Sequence, residues 1–185
     1  IPNAAGCDST ITTITALDIP GCTPTAALSS GSVTCFGAAD GVLSLSAAGG
    51  LEPYQYTWSN GTQTGSGQIL TANTPIQLFN LTAGNYTVTI TGANGLTRTV
   101  TAQVASPNIL TAQAITVLAF GQNALSCIGA TDASINGSAT GGTSPVQYTW
   151  SVAGQNAATL SGVGAGTYDL TITDANLCTA TSSAS

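Results

Sequence analysis

The stretch "YQYTWS", Tyr54–Ser59, recurs almost letter for letter as "VQYTWS", Val146–Ser151, and its period decides the fold. Tyr54, Tyr56 and Trp58 occupy alternate positions, with Gln55 and Thr57 between them. A period of two sends large apolar side chains to one face of a strand and polar ones to the other, as a half-buried antiparallel strand requires. The phrase belongs to a longer duplication. Cys35–Ser59 aligns without a gap on Cys127–Ser151, matching Cys35 with Cys127, Asp40 with Asp132, Gly49-Gly50 with Gly141-Gly142, Pro53 with Pro145 and Trp58 with Trp150. The register slips at "NGTQTGSGQILTANTPIQLF", Asn60–Phe79, which is about ten residues longer than its counterpart. It resumes where "LTAGNYTVTITGAN", Leu81–Asn94, pairs with "VGAGTYDLTITDAN", Val163–Asn176. One domain is used twice.

The resumed segments alternate as well: Tyr86, Val88 and Ile90 with Thr87, Thr89 and Thr91, then Tyr168, Leu170 and Ile172 with Asp169, Thr171 and Thr173. Gly-Gly before the "QYTW" strand and "GAN" or "DAN" after the later one are turn signals, and no stretch shows a capped 3.6-residue period. Short strands separated by Gly-rich turns predict an all-β chain of two tandem immunoglobulin-like antiparallel β-sandwich domains. Their expected bounds are 21–107 and 108–185, with residues 1–20 an N-terminal strand segment. Trp58 and Trp150 are expected to be buried core anchors. "LTAGNY" and "VGAGTY" are expected to turn into a late strand so that the hydroxyls of Tyr86 and Tyr168 bond back to nearby backbone, the tyrosine corner of such sandwiches.

Composition excludes several functions. Only 4% of residues are charged, and one basic residue, Arg98, stands against seven acids. No cationic patch exists for nucleic acid or anionic lipid. No apolar run approaches the roughly 18–20 residues that span a bilayer. With no His and no Lys, the usual general base, the Schiff-base lysine and the Ser-His nucleophile are missing, so no catalytic residue, enzyme activity or cofactor is expected. No metal site is expected: close Cys and His ligand spacings are absent, and Asp40, Asp132 and Asp174 sit in turn sequences where a carboxylate caps its own backbone. Five cysteines with no Met and almost no Lys suit an oxidising, protease-rich setting, so the chain is expected to be secreted or on the cell surface. Ile1 opens directly into "IPNAAGCDST", so the secreted reading implies a leader already removed.

The string of Cys and Asp, then "GG-x-x-P" with "Y-x-W-S", then "A-G-x-Y" leading to "AN-x-C", resembles the SprB-type repeat. That module is related to PKD-like and immunoglobulin-like domains and is strung in tandem in secreted and cell-surface adhesins of Bacteroidota, including those of gliding motility. The resemblance covers both copies and implies a spacer and adhesion module without an active site. It also implies that the early Cys of a copy pairs with the Cys ending "DAN-x-C", hence Cys127 with Cys178. Such a bridge, closing a loop of about 50 residues, would contribute roughly 4 kcal/mol by loop entropy. The first copy carries Leu96 where that second Cys belongs, so two of Cys7, Cys22 and Cys35 are expected to pair, in an order the sequence leaves open. Asp8-Ser9-Thr10 is similar to an O-glycan acceptor of that phylum, which makes Ser9 a candidate glycan site. Asn60, Asn80, Asn85 and Asn136 head Asn-x-Ser/Thr triplets, which a Thr- and Asn-rich chain also produces by chance.

Residues 3–20 read like the last strand of a preceding copy, without the rest of its domain. The first expectation is therefore an extracellular structural protein, a protomer of a self-assembling filament or surface layer. In it Ile11 and Ile14 would complete a sandwich in the next copy, a head-to-tail strand complementation. The alternative is an adhesin or stalk segment of a longer repeat array that binds glycans or other cells, with residues 60–79 as its candidate loop.

Overall fold

A computed structural model describes residues 22–185, every regular element of which is a β-strand. No helix among the described residues is long and apolar enough to cross a membrane. Contacts divide the chain into two units, the second comprising Pro107–Ser185 together with Thr34–Phe36.

In the first unit the strands are β1 (Thr25–Gly31), β2 (Gly41–Ala48), β3 (Tyr54–Ser59), β4 (Thr64–Ile69), β5 (Ile76–Leu81), β6 (Gly84–Thr91) and β7 (Thr97–Val104). They form two antiparallel sheets, ordered β1-β2-β5 and β4-β3-β6-β7. On β2 the period of two is complete, with Gly41, Leu43, Leu45 and Ala47 buried and the residues between them half-buried. Tyr86, Val88 and Ile90 of β6 face the interior in the same way. With Tyr54, Ile69, Leu78, Leu81, Val33 and Val104 they make the core.

The stretch 60–79, expected as a loop, holds all of β4 and Ile76–Phe79 of β5 instead. Of these, β4 is an edge strand that pairs with β3. Two of its residues are glycines, and the cross-strand rings make use of them: Gly65 lies opposite Trp58 and Gly67 opposite Tyr56. A Cβ on Gly65 would come 2.6 Å from the indole. The rings thus lie flat over bare backbone, covering what glycine leaves exposed.

The second unit contains β8 (Thr111–Thr116), β9 (Ala133–Thr140), β10 (Gln147–Trp150), β11 (Thr159–Val163), β12 (Tyr168–Thr173) and β13 (Thr179–Ala184). Its sheets run β11-β9-β8 and β10-β12-β13. Ala133, Ile135, Trp150, Leu160, Val163, Leu170 and Ile172 form the core. The repeated phrase therefore behaves differently in its two settings: Trp150 is buried, 4% exposed, while Trp58 is only half-buried. Trp150 crosses the interior to Gly137 on the opposite sheet and donates from its indole Nε1 to the Ala157 carbonyl at 2.9 Å. Trp58 is drawn toward edge strand β4 and tilts against Tyr86, ring centroids 5.7 Å apart.

Both tyrosine hydroxyls bond back across a corner. That of Tyr168 donates to the Gly164 carbonyl at 3.1 Å. That of Tyr86 lies within donating distance of the Thr82 carbonyl, 2.9 Å, and of Gln63 Oε1, 2.8 Å, and accepts from Asn60 Nδ2 at 3.0 Å. The Gly-Gly motif is a turn that demands its glycines: Gly141 and Gly142 have φ of 72° and 64°. At the first of them a Cβ would collide with the Ile109 carbonyl.

Candidate functional site

The turn between β12 and β13 is a socket built around one carboxylate. Asp174 is 4% exposed, and its oxygens accept from the backbone N–H groups of Thr143, Asn176 and Cys178, each at 2.9 Å. Removal from water raises the carboxyl pKa, but the three donors outweigh that and hold it below the ordinary value. The anchored turn presents two groups. Asn176 Nδ2 donates to the carbonyl of Thr34 at 2.9 Å, and Cys178 is joined to Cys35 through a disulfide with a Cα–Cα distance of 5.7 Å. The second unit thus holds a three-residue clip, Thr34–Phe36, drawn from the connection between β1 and β2.

This pairing corrects the expected Cys127–Cys178 bridge. Cys127 lies in the connection between β8 and β9, at the end of the sandwich where β12 begins, since Leu125 of that connection and Tyr168 line one cavity. Cys178 lies beyond the other end of β12. Six residues of strand at about 3.3 Å each put roughly 20 Å between the two ends, against the 4.4–6.8 Å that a disulfide spans between Cα atoms. Cys127 is free and exposed. Cys22 is disulfide-bonded; Cys7, like Ser9, Ile11 and Ile14, lies outside the described residues.

The equivalent turn of the first unit lacks the machinery. Gly92 stands for Asp174 and Leu96 for Cys178. The aligned asparagine does remain, Asn94 for Asn176, and donates to the Cys22 carbonyl at 3.1 Å. Leu96 signalled only that Cys35 has no turn cysteine in its own copy; that its partner is Cys178 was not legible.

A second feature is an open strand edge. In the first unit β3 is flanked by β4 and β6, whereas among the described residues β10 pairs only with β12. The N–H of Ser151 points to β12, bonding Asp169 O at 2.9 Å, while that of Trp150 points away, to Gln155 O at 3.1 Å. By alternation the N–H and C=O of Tyr148 also face away from β12, toward the open side.

Other candidates are structurally occupied. Asn60 caps its own turn, its Oδ1 accepting from the N–H groups of Thr62 and Gln63 at 3.0 and 2.6 Å, and its Nδ2 is bound to Tyr86, so it offers no free amide to a glycan. Asp132 accepts from Ser126 N–H at 3.2 Å, and hydrogen bonds from the side chain and then the backbone of Ser126 hold its carboxyl below the ordinary value. Among the described residues no three Cys, Asp or Glu side chains converge. An apolar cavity of about 410 Å³ is lined by Leu125, Ala133, Ile135, Val163 and Tyr168. In the first unit Val33, Leu81 and Val104 crowd Gly41, which aligns with Ala133.

Residues 28–63 match the SprB repeat family. No curated protein sequence matches the chain. Among solved structures, the C-terminal 282-residue fragment of intimin, crystallised with the intimin-binding domain of its translocated receptor, is similar at 14% identity and a TM-score of 0.44. The match covers 88% of this chain and 62% of that fragment, so the chain spans less than two thirds of its length. The amphioxus IgVJ-C2 molecule is similar at 14% identity and a TM-score of 0.31, over 86% of this chain and 93% of that one. The fibronectin(III)-like modules of Clostridium thermocellum CbhA are similar at 12% and 0.29, over 85% and 91%.

Proposed function

We propose that this chain is a non-enzymatic extracellular structural protein whose copies join head to tail by strand addition, making a filament or surface layer. The observation that carries the reading is the open outer edge of β10, at the place where β4 covers β3 in the first unit. An extended segment laid there finds the outward N–H and C=O of Tyr148 as ladder partners, and strand addition of this kind supplies affinity through the main chain. The strand-patterned residues 3–20 of a second copy are the proposed donor, with Ile11 and Ile14 as its apolar side chains. A contact between unlike ends repeats without closing, which yields a fibre. A charge-poor, hydroxyl-rich surface leaves little repulsion to oppose dense packing.

The test is deletion of residues 1–20, read by electron microscopy and light scattering of purified protein. Loss of assembly with both units still folded is expected; unchanged filaments would refute strand donation. The adhesin reading is supported by Leu70 and Phe79, 70% and 62% exposed beside and on the strands of the first unit. Their replacement by Ser would abolish binding to cells or a glycan array under that reading and leave it unchanged under the first.

A further inference from the structure

We infer that Cys127 is a cross-linking site, whose thiol forms a disulfide with the turn cysteine of a further sandwich repeat in the way that Cys35 does with Cys178. The inference rests on the part of the proposed function in which sandwich repeats are joined in series; the socket of this chain's second unit is taken by Cys35, so the partner is a repeat whose turn cysteine is free.

The internal duplication serves as its own comparison. Cys127 aligns without a gap on Cys35, and Cys35 is bonded to the Asp174–Cys178 turn while Cys127 is unpaired and exposed. The flanking residues repeat the contrast. Thr34–Phe36 count with the second unit and give it the Thr34 carbonyl that Asn176 binds. Their counterparts are Ser126, Cys127 and Ile128, and Ile128 is 105% exposed, as bare as an isolated residue. A β-branched apolar side chain beside a free thiol, at the positions that in the preceding copy form the cross-linked clip, makes an unused clip.

The geometry within one copy gives the direction. Val33 N–H donates to Ala105 O at 3.0 Å, so the β1–β2 connection of the first unit leaves beside the end of β7, where the chain passes on to Pro107. The β8–β9 connection likewise lies at the end of its sandwich opposite the β12–β13 turn, so Cys127 faces away from its own socket. What it fits is another socket of the same chemistry: a buried Asp capping the turn, an Asn amide to bind the Ser126 carbonyl, and a cysteine two residues after that Asn. The first unit of a second copy cannot supply it, because Gly92 and Leu96 replace the Asp and the Cys. The bond forms by two thiol–disulfide exchanges: the two protein thiols lose two protons and two electrons in total, and one disulfide oxidant, a dithiol–disulfide protein or oxidised low-molecular-weight thiol, is reduced to two thiols.

The socket can come from the same polypeptide or from another, and two experiments separate these. Ser185 aligns with Gln103, so the full chain extended by a second copy of residues 104–185 continues the strand in register and repeats the natural junction. Peptide mapping without reductant after oxidative folding is expected to find Cys127 joined to the appended Cys178, and Cys127 alkylation to fall from near complete in the original chain to near zero. For the second source, the full chain carrying Cys35→Ser, which frees its Cys178, is mixed with isotope-labelled native chain under a disulfide buffer. A Cys127–Cys178 peptide of mixed label is expected if separate chains cross-link. The native Cys35–Cys178 peptide reports whether the extended chain has folded; if it has not, the mixing experiment decides. Cys127 left alkylatable in both, or found only as a Cys127–Cys127 dimer, overturns the inference. Filaments that persist without the cross-link would leave strand addition standing and this inference refuted.

Discussion

Replacing each tryptophan of the repeated phrase by alanine separates the two settings of one sequence. Trp150 is 4% exposed, crosses the core to Gly137 and satisfies the Ala157 carbonyl with its indole N–H. Truncating a buried aromatic of this size costs about 3–5 kcal/mol through lost transfer energy and the cavity left behind. Trp58 is half-buried against β4 and Tyr86, so Trp58→Ala keeps only part of that cost, about 2 kcal/mol. The whole stability of a domain of this size is only some 4–12 kcal/mol at roughly 0.05–0.15 kcal/mol per residue. Trp150→Ala therefore lowers the second unit's transition by more than about 12 °C, at about 4–8 °C per kcal/mol. Scanning calorimetry measures both transitions. Since the chain has two tryptophans, fluorescence of Trp150→Ala then follows Trp58 alone, and the first unit's midpoint is expected to stay in place. A loss below about 1 kcal/mol for Trp150→Ala, or a larger loss for Trp58→Ala, would refute the burial argument.

Tyr168→Phe removes one hydrogen bond to the Gly164 carbonyl and should cost about 1 kcal/mol in urea denaturation; Tyr86→Phe, which removes the hydroxyl shared by Thr82, Gln63 and Asn60 while leaving Gln63 and Asn60 their bonds to Thr82, should cost somewhat more, about 1–2 kcal/mol. Gly65→Ala drives a Cβ to 2.6 Å from the Trp58 indole and should destabilise the first unit by about 1–3 kcal/mol, with the second unit's calorimetric transition unmoved. Asp174 has a folded pKa below its unfolded value, so the stability it contributes is present above the ordinary carboxylate pKa and drains away as pH falls through the folded value. Asp174→Asn should flatten that acid limb of stability against pH; an unchanged limb would mean the three donors do not stabilise the charged form.

Much of the fold was legible because side-chain alternation is a local property. Tyr86, Val88 and Ile90 face the core by strand geometry alone, and the corners at Tyr86 and Tyr168 followed from the same short motif. The strand β4 was not legible: "TGSGQI" has glycines where a strand pattern wants large side chains, and it becomes a strand because Tyr56 and Trp58 on its neighbour cover those glycines. The depth of Trp58 was hidden for the same reason, since an edge strand present in one copy and missing from the other decides where the indole rests.

The sequence by itself determined that this is a duplicated all-β chain, poor in charge and without histidine or lysine, because composition and period are carried residue by residue. The tertiary structure alone decided which cysteine meets which. Cys127 and Cys178 share a copy, yet a strand's length separates them, and the clip around Cys35 reaches the second unit's turn instead. A disulfide forms between atoms a few ångströms apart, and which end of a sandwich a loop occupies is set by how strands pair, which no single copy of the motif spells out.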